Sequence, residues 1–255
     1  IYPLKKEVRI MYCPYRLCIN NCPFLRNQYI NPQVYSSMRI SPQSNSVTVT
    51  AKEIKDQKPY IRSDLKIPEF HGIANTNIQA YINNAIQSDV MEFKRQMEKA
   101  AQEYGDKAAQ NKEKFIPYAI SSVYEITYNK NNIISVSMIY HEYVQGLNSY
   151  IKVPYNFDII TGRSLMLQDI FIPGSDYKSL INKEIRNELI KNKQKYYPET
   201  VENFKGVAED QPFYLENGYL VVFFGFHEIA PTEAKIPVFK IPLSTFGNAI
   251  KPMFR

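Results

Sequence analysis

Apolar positions change their spacing several times along this chain, and each change marks an element. Val47, Val49 and Ala51 alternate with Thr48 and Thr50, and Ile61, Leu65 and Ile67 keep a period of two after Pro59. That period predicts two strands, the second stopped by Pro68 and the His71-Gly72 pair. From Ile78 the steps become three and four: Ile78, Tyr81, Ile82, Ala85, Ile86, Val90, Phe93, Met97, Ala101 and Tyr104 share one stripe. This is the apolar face of a long helix that needs a sheet to lie on. Asn75, Thr76 and Asn77 offer N-cap side chains, and Gly105 is a place for the helix to end or bend.

Alternation returns at Tyr118, Ile120, Ser122, Tyr124, Ile126 and Tyr128, then at Ile134, Val136, Met138 and Tyr140, and again at Ile151, Val153, Tyr155, Phe157 and Ile159. The intervening turns, Asn129 to Asn132 and Gln145 to Asn148, are short, which predicts an antiparallel meander. A second helix is predicted from Asp176 to about Lys193, capped by Ser175, with Tyr177, Leu180, Ile181, Ile185, Leu189 and Ile190 as its stripe. Phe213 to Leu215, the Glu216-Asn217-Gly218 turn and the nearly all-apolar Tyr219 to Phe226 read as a hairpin whose second strand is central and buried on both faces. Pro237 puts the last strand, Ile236 to Ile241, at an edge.

The order predicts an α+β fold, mainly antiparallel sheet(s) with two main helices packed on one side. Residues 1–46 stand apart, with Pro3, Pro14, Pro23, Pro32 and Pro42 and poor periodicity, and read as an irregular N-terminal arm. The organisation expected is that arm, an α+β subdomain over 47–165 and a second over 166–255.

Composition narrows the function classes. Of 255 residues, 44% are hydrophobic and 22% charged, as in a globular chain with a sizeable core. The net charge of +6 comes from basic residues interleaved with acidic ones, as in Lys183-Glu184-Ile185-Arg186-Asn187-Glu188. A nucleic-acid binder gathers such residues into a stripe, so no nucleic-acid partner is expected. No apolar run reaches the ~20 residues that span a bilayer, and the chain begins with Ile1. The expectation is a chain whose export or membrane segment lies outside this sequence. Cys13, Cys18 and Cys22 have C-x4-C-x3-C spacing without a fourth ligand, which gives no zinc site. One disulfide with an odd thiol and three separate thiols both fit.

The sequence holds no G-x-S-x-G elbow, phosphate-cradling glycine loop or H-E-x-x-H pair. His141-Glu142 and His227-Glu228 are dipeptides, and adjacent strand residues point to opposite faces, so neither pair can serve one ligand. No catalytic residue, metal or cofactor is assigned. The binding candidates are Tyr140, Tyr143 and Tyr150 around the second meander turn, with His227 and Glu228. Tyrosines near a strand end can stack on sugars or anchor a protein; the competing reading is that they pack into the core.

Three segments resemble the RsiV/PdaC-like family. The first is Ile67-Pro68-Glu69-Phe70-His71-Gly72 with Asn77-Ile78 and Tyr81-Ile82-Asn83. The second runs from Tyr155-Asn156-Phe157-Asp158 through Thr161-Gly162-Arg163 to Leu165, Leu167 and Asp169-Ile170-Phe171. The third, the most specific, joins Phe213-Tyr214-Leu215, His227-Glu228-Ile229-Ala230-Pro231 and Ile236-Pro237-Val238-Phe239-Lys240-Ile241-Pro242. Together they span about Lys58 to Phe246. Where many members carry a Gly-Gly-Ala-His-Gly-type segment, Val144 to Ser149 stands here without a histidine, so that loop inherits no ligand role.

The resemblance implies a non-catalytic module on the envelope of a Gram-positive bacterium. In RsiV-type proteins this module binds lysozyme and passes a signal to proteolysis; in PdaC-type proteins it accompanies a separate deacetylase domain, which these residues do not contain. The expected partners are a lysozyme-like protein or peptidoglycan glycan. The alternatives are a cell-wall hydrolase using a His-Glu site and a structural or coat protein linked through its cysteines.

Overall fold

Thr48–Lys58 (β1) and Ile61–His71 (β2) form a hairpin in which every residue of β1 faces a partner on β2. This first element pair opens a computed structural model that describes residues 47–231 and 235–255. The described residues belong to one compact unit, Ser44–Arg255. The predicted 1–46 arm, with Cys13, Cys18 and Cys22, lies outside the described residues.

β2 runs through Pro68 rather than ending there. The strand that follows the first helix, Tyr118–Lys130 (β3), pairs parallel to β2 only from Ile61–Tyr118 to Leu65–Ser122. Past Leu65, no described strand pairs with β2 on that side. Amides two residues apart on a strand point the same way, so Lys66, Pro68 and Phe70 all face this gap. Ser122 Oγ accepts from Lys66 N–H and donates to Lys66 O. Asn83 reaches from the helix, accepting from Phe70 N–H at 2.8 Å and donating to Phe70 O at 2.9 Å. Pro68, between them, has no donor to leave unpaired.

The first helix, α1, spans Thr76–Asn111, roughly 54 Å at 1.5 Å per residue. Asn75 caps it by accepting from the amides of Asn77 and Ile78. It ends at Lys112 in the left-handed region, with φ of 56°. Gly105 does not end it: a Cβ there would lie 2.5 Å from the Tyr60 ring, so the glycine admits the β1–β2 turn against the helix. Ile82, Ile86, Val90, Phe93, Met97 and Ala101 are buried and form a core with Leu65, Ile120, Val136 and Met138. Lys94 ties α1 to β1 through Asp56 at 2.8 Å and also pairs with Glu98.

Ile133–Val144 (β4) and Leu147–Asp158 (β5) complete a sheet of order β1-β2-β3-β4-β5. The meander turns are tighter than predicted. Asn131-Asn132 and Gln145-Gly146 all have positive φ, the geometry of a two-residue turn that matches strand twist. On β4, Ile134, Val136, Met138 and Tyr140 join the core under α1. Ile133, Ser135 and Ser137, on the opposite face, are buried as well, because the second half of the chain covers that end of the sheet.

The covering layer holds Tyr177–Lys191 (α2), Pro198–Asn203 (α3) and an antiparallel sheet of Phe213–Glu216 (β6), Tyr219–Phe223 (β7) and Val238–Pro242 (β8), in that order. β7 is central and buried and β8 is at the edge, as the sequence pattern predicts; β7 ends at Phe223, short of Phe226. α2 is capped by Asp176, whose carboxylate accepts from Ser179 N–H, rather than by Ser175. Ile190 is 67% exposed and drops out of the stripe. Ile181, Ile185 and Leu189 pack with Leu215, Val222 and Phe239 in a second core. Tyr128 and Ile133 belong to that core although they come from β3 and β4. A bulge between Ile126 and Tyr128 turns Tyr128 to the other face. Hydrogen bonds couple the layers. Ser135 and Asn156, opposite one another on β4 and β5, are 2.6 Å apart; Asn156 Nδ2 donates to Phe213 O and Leu215 N–H donates to Ser135 Oγ. The fold is α+β with mainly antiparallel sheets.

Candidate functional site

The outer face of the first sheet is only half covered, and the candidate site lies where the cover stops. The register places Lys55 opposite Asp64, Asp64 opposite Ser121, Ser121 opposite His141 and His141 opposite Tyr150. One straight row therefore crosses all five strands, and partners in such a row share a face. Lys55, Asp64, Ser121 and His141, with Asp56 and Arg62, line an open groove of about 540 Å³. One row nearer the covered end, Lys152 lies 5.0 Å from the Tyr214 ring centroid and 5.5 Å from that of Phe223. It marks the border of the second layer, and burial lowers its pKa.

At the β5 end the row runs into an aromatic chain. The His141 ring stacks on Tyr150 at 4.9 Å, and His141 Nε2 is 2.7 Å from Asn148 Oδ1. Tyr150 meets Phe226 edge to face at 5.7 Å, and Phe226 meets His227 at 4.1 Å. His227 Nδ1 lies 3.5 Å from the Tyr197 hydroxyl. Four separated stretches thus contribute to one surface. His227 is held in a left-handed turn with φ of 62°. Glu228 closes that turn: its Oε2 accepts from Gly225 N–H, and its own N–H donates to Gly225 O at 3.1 Å.

The five predicted binding residues separate. Tyr150 and His227 are brought together by Phe226. Tyr143 is half-buried on the same outer face, in the row beside His141. Glu228 builds the turn that presents His227. Tyr140 is a correction: it points to α1, is 1% exposed and packs on Phe93 at 4.7 Å, so no partner can reach its ring. Its hydroxyl sits 3.5 Å from that of Tyr155, which donates to Asp89 Oδ2. The even residues of β4 all face the core, and Tyr140 follows their parity. Sequence reading missed Phe226, Tyr197, Arg62, Asp64 and Ser121, since nothing local marks them; only the strand register and the docking of the 225–228 turn collect them.

The arrangement suits recognition by contact. Aromatic faces with imidazole and amide edges offer apolar area and hydrogen bonds together. It is poorly suited to acid–base or nucleophilic work. His141 Nε2 is engaged by Asn148 rather than Ser121. Glu142 points away from His141 into the core, where burial pushes its carboxyl up to about 7. Among the described residues no group of three or more His, Cys, Asp or Glu is placed to hold a metal ion, and no helix is long and apolar enough to cross a membrane.

The two-sheet α+β architecture is one that solved proteins share. A DUF3298 family member from Bacteroides fragilis superposes with a TM-score of 0.63 at 16% identity, over 81% of this chain and 94% of that one. A DUF3298 family protein from Pseudomonas aeruginosa gives 0.55 at 14%, over 82% and 95%. The family model described as "Deacetylase PdaC" matches residues 54–146, and that described as "Protein of unknown function (DUF3298)" matches residues 168–244. The anti-sigma-V factor RsiV of Bacillus subtilis (strain 168) is 24% identical over 233 residues, 87% of this chain and 77% of RsiV. The two family-model matches and the similarity to RsiV together support an RsiV/PdaC-like family.

Proposed function

We propose that this chain is a non-catalytic sensor ectodomain of the RsiV type, which captures a lysozyme-like protein on the border formed by His141, Tyr150, Phe226 and His227. The similarity to an anti-sigma factor over 77% of that protein's length carries the regulatory part of this reading. The aromatic border carries the binding part. Aromatic anchors beside a groove of mixed charge are the usual make-up of an interface centre with a polar rim. The setting is the outside of a Gram-positive cell, with membrane attachment supplied by another segment of the full-length protein. The hydrolase alternative loses support from the opposed directions of His141 and Glu142 and from the turn-building role of Glu228.

Isothermal titration of the chain with lysozyme, alongside retention on insoluble peptidoglycan, tests the proposal. The expected result is saturable lysozyme binding that Tyr150→Ala and Phe226→Ala each weaken by about tenfold or more, at unchanged melting temperature. Retention on peptidoglycan without lysozyme binding would move the ligand to cell-wall glycan. Binding to neither would overturn the sensor reading and leave the cysteine-linked structural role as the next to test.

A further inference from the structure

The outer edge of β1 is a long edge of the first sheet. β1 stands at the end of the order β1-β2-β3-β4-β5, and among the described residues no strand pairs with its other side. It has 11 residues, most of them exposed, contains no proline, and keeps an unbroken register with β2. A long, flat edge invites another strand unless something blocks it. Its lysines look like such a block, but they alternate with acids: Lys52, Glu53, Lys55, Asp56 and Lys58.

We propose that this edge pairs with the same edge of a second copy of the chain, antiparallel about Ile54, making one continuous sheet of two five-stranded halves. The argument is geometric. Two identical edges that meet antiparallel are related by a twofold axis normal to the sheet. Opposed residues must share a face, so the axis passes beside a residue and not between two. Only a few registers keep the charged part of β1 in contact. An axis at Lys52 sets Lys52 against its own copy and forms no opposite-charge pair. One at Glu53 sets Glu53 against its own copy. One at Lys55 sets Lys55 against itself and Lys52 against Lys58. The axis at Ile54 opposes Glu53 to Lys55 and Lys52 to Asp56, each twice, giving four opposite-charge pairs around an Ile54–Ile54 contact. Both signs are also sorted by face. Lys52 and Asp56 lie on the α1 side, where they reach Gln87 and Lys94. Glu53 lies on the outer side with Lys55 and Lys66, at 3.3 and 3.8 Å, and these three side chains are about half exposed.

Sedimentation velocity of the full 255-residue chain, under reductant and at low ionic strength, tests this. Reductant removes cysteine-linked species. The wild type is expected to show a concentration-dependent monomer–dimer equilibrium that salt weakens. Lys55→Glu and Glu53→Lys each place two like-charge pairs at the contact and should each weaken dimerisation at least tenfold. An equimolar mixture of the two variants restores both opposite-charge pairs and should recover the dimer. Circular dichroism and melting temperature check that each variant is folded. A wild type that stays monomeric throughout, variants that dimerise like the wild type, or a mixture that fails to recover would each overturn the pairing.

Discussion

Glu142 is a charged residue in a costly environment. It is 6% exposed, one carboxylate oxygen finds no hydrogen-bond partner, and burial alone pushes its pKa from 4.5 to about 7. A carboxyl with a raised folded-state pKa holds its proton more tightly folded than unfolded. The stability from that preference is fully present below pH 4.5 and is lost as pH rises to about 7. At 1.36 kcal/mol per unit, the loss is about 3 kcal/mol. Urea unfolding of the wild type at pH 5 and pH 8 should therefore show lower stability at pH 8. Glu142→Gln, which cannot ionise, should flatten that difference. An equal pH dependence in the two proteins would show that the burial cost lies elsewhere. The neighbouring His141 faces the other way, so this titration should leave partner binding on the outer face little changed.

At the scale of elements, side chains finish ladders that strands leave open. Ser122 and Asn83 satisfy the uncovered part of β2 around Pro68, and Ser135 with Asn156 does the same for the inner edge of β6. The second pair is the more consequential because it is buried and joins the two sheets. Asn156→Ala removes the donor to Phe213 O and the partner of Ser135 Oγ. Leaving buried polar groups unsatisfied costs about 1–3 kcal/mol each. The expected effect is a loss of about 2–4 kcal/mol in chemical denaturation, with Asn156→Asp, which keeps the acceptor but not the amide donor, falling between the two. A change under 0.5 kcal/mol would mean that apolar packing alone holds the layers.

At the scale of the molecule, we read residues 47–165 and 166–255 as two subdomains that fold as one cooperative unit. Tyr128 and Ile133 come from the first yet lie in the second's core, with Leu165 packed against it. Residues 47–165 made alone should expose this apolar patch, bind a hydrophobic dye and lack a sharp thermal transition. A dispersed amide spectrum and cooperative melting of that fragment would show the subdomains to be independent. The proposed binding border draws on both halves, Tyr150 from one and Phe226 with His227 from the other, so the fragment should also lose any affinity for lysozyme.

Much of the fold was legible along the chain because it rests on local periodicity. The spacing of Ile82, Ile86, Val90 and Phe93 specifies a helix with one apolar face, and the all-apolar Leu220 to Phe223 specifies a central strand, whatever they pack against. The family resemblance was legible for a similar reason, in short runs such as Phe239-Lys240-Ile241-Pro242. Pro68 misled because the rule that prolines end strands assumes a paired amide, and here the neighbouring strand has turned away. Tyr140 misled because parity on β4 assigns its side, but only the docking of α1 decides which side is buried. By itself, then, the sequence determined the main elements, the α+β class and the resemblance to the RsiV/PdaC-like family. Tertiary structure alone decided that Tyr150 meets Phe226 and His227, that Glu142 is buried, and that no other described strand pairs with the outer edge of β1. Those facts depend on strand register and layer docking between residues far apart in the chain, which no local pattern encodes.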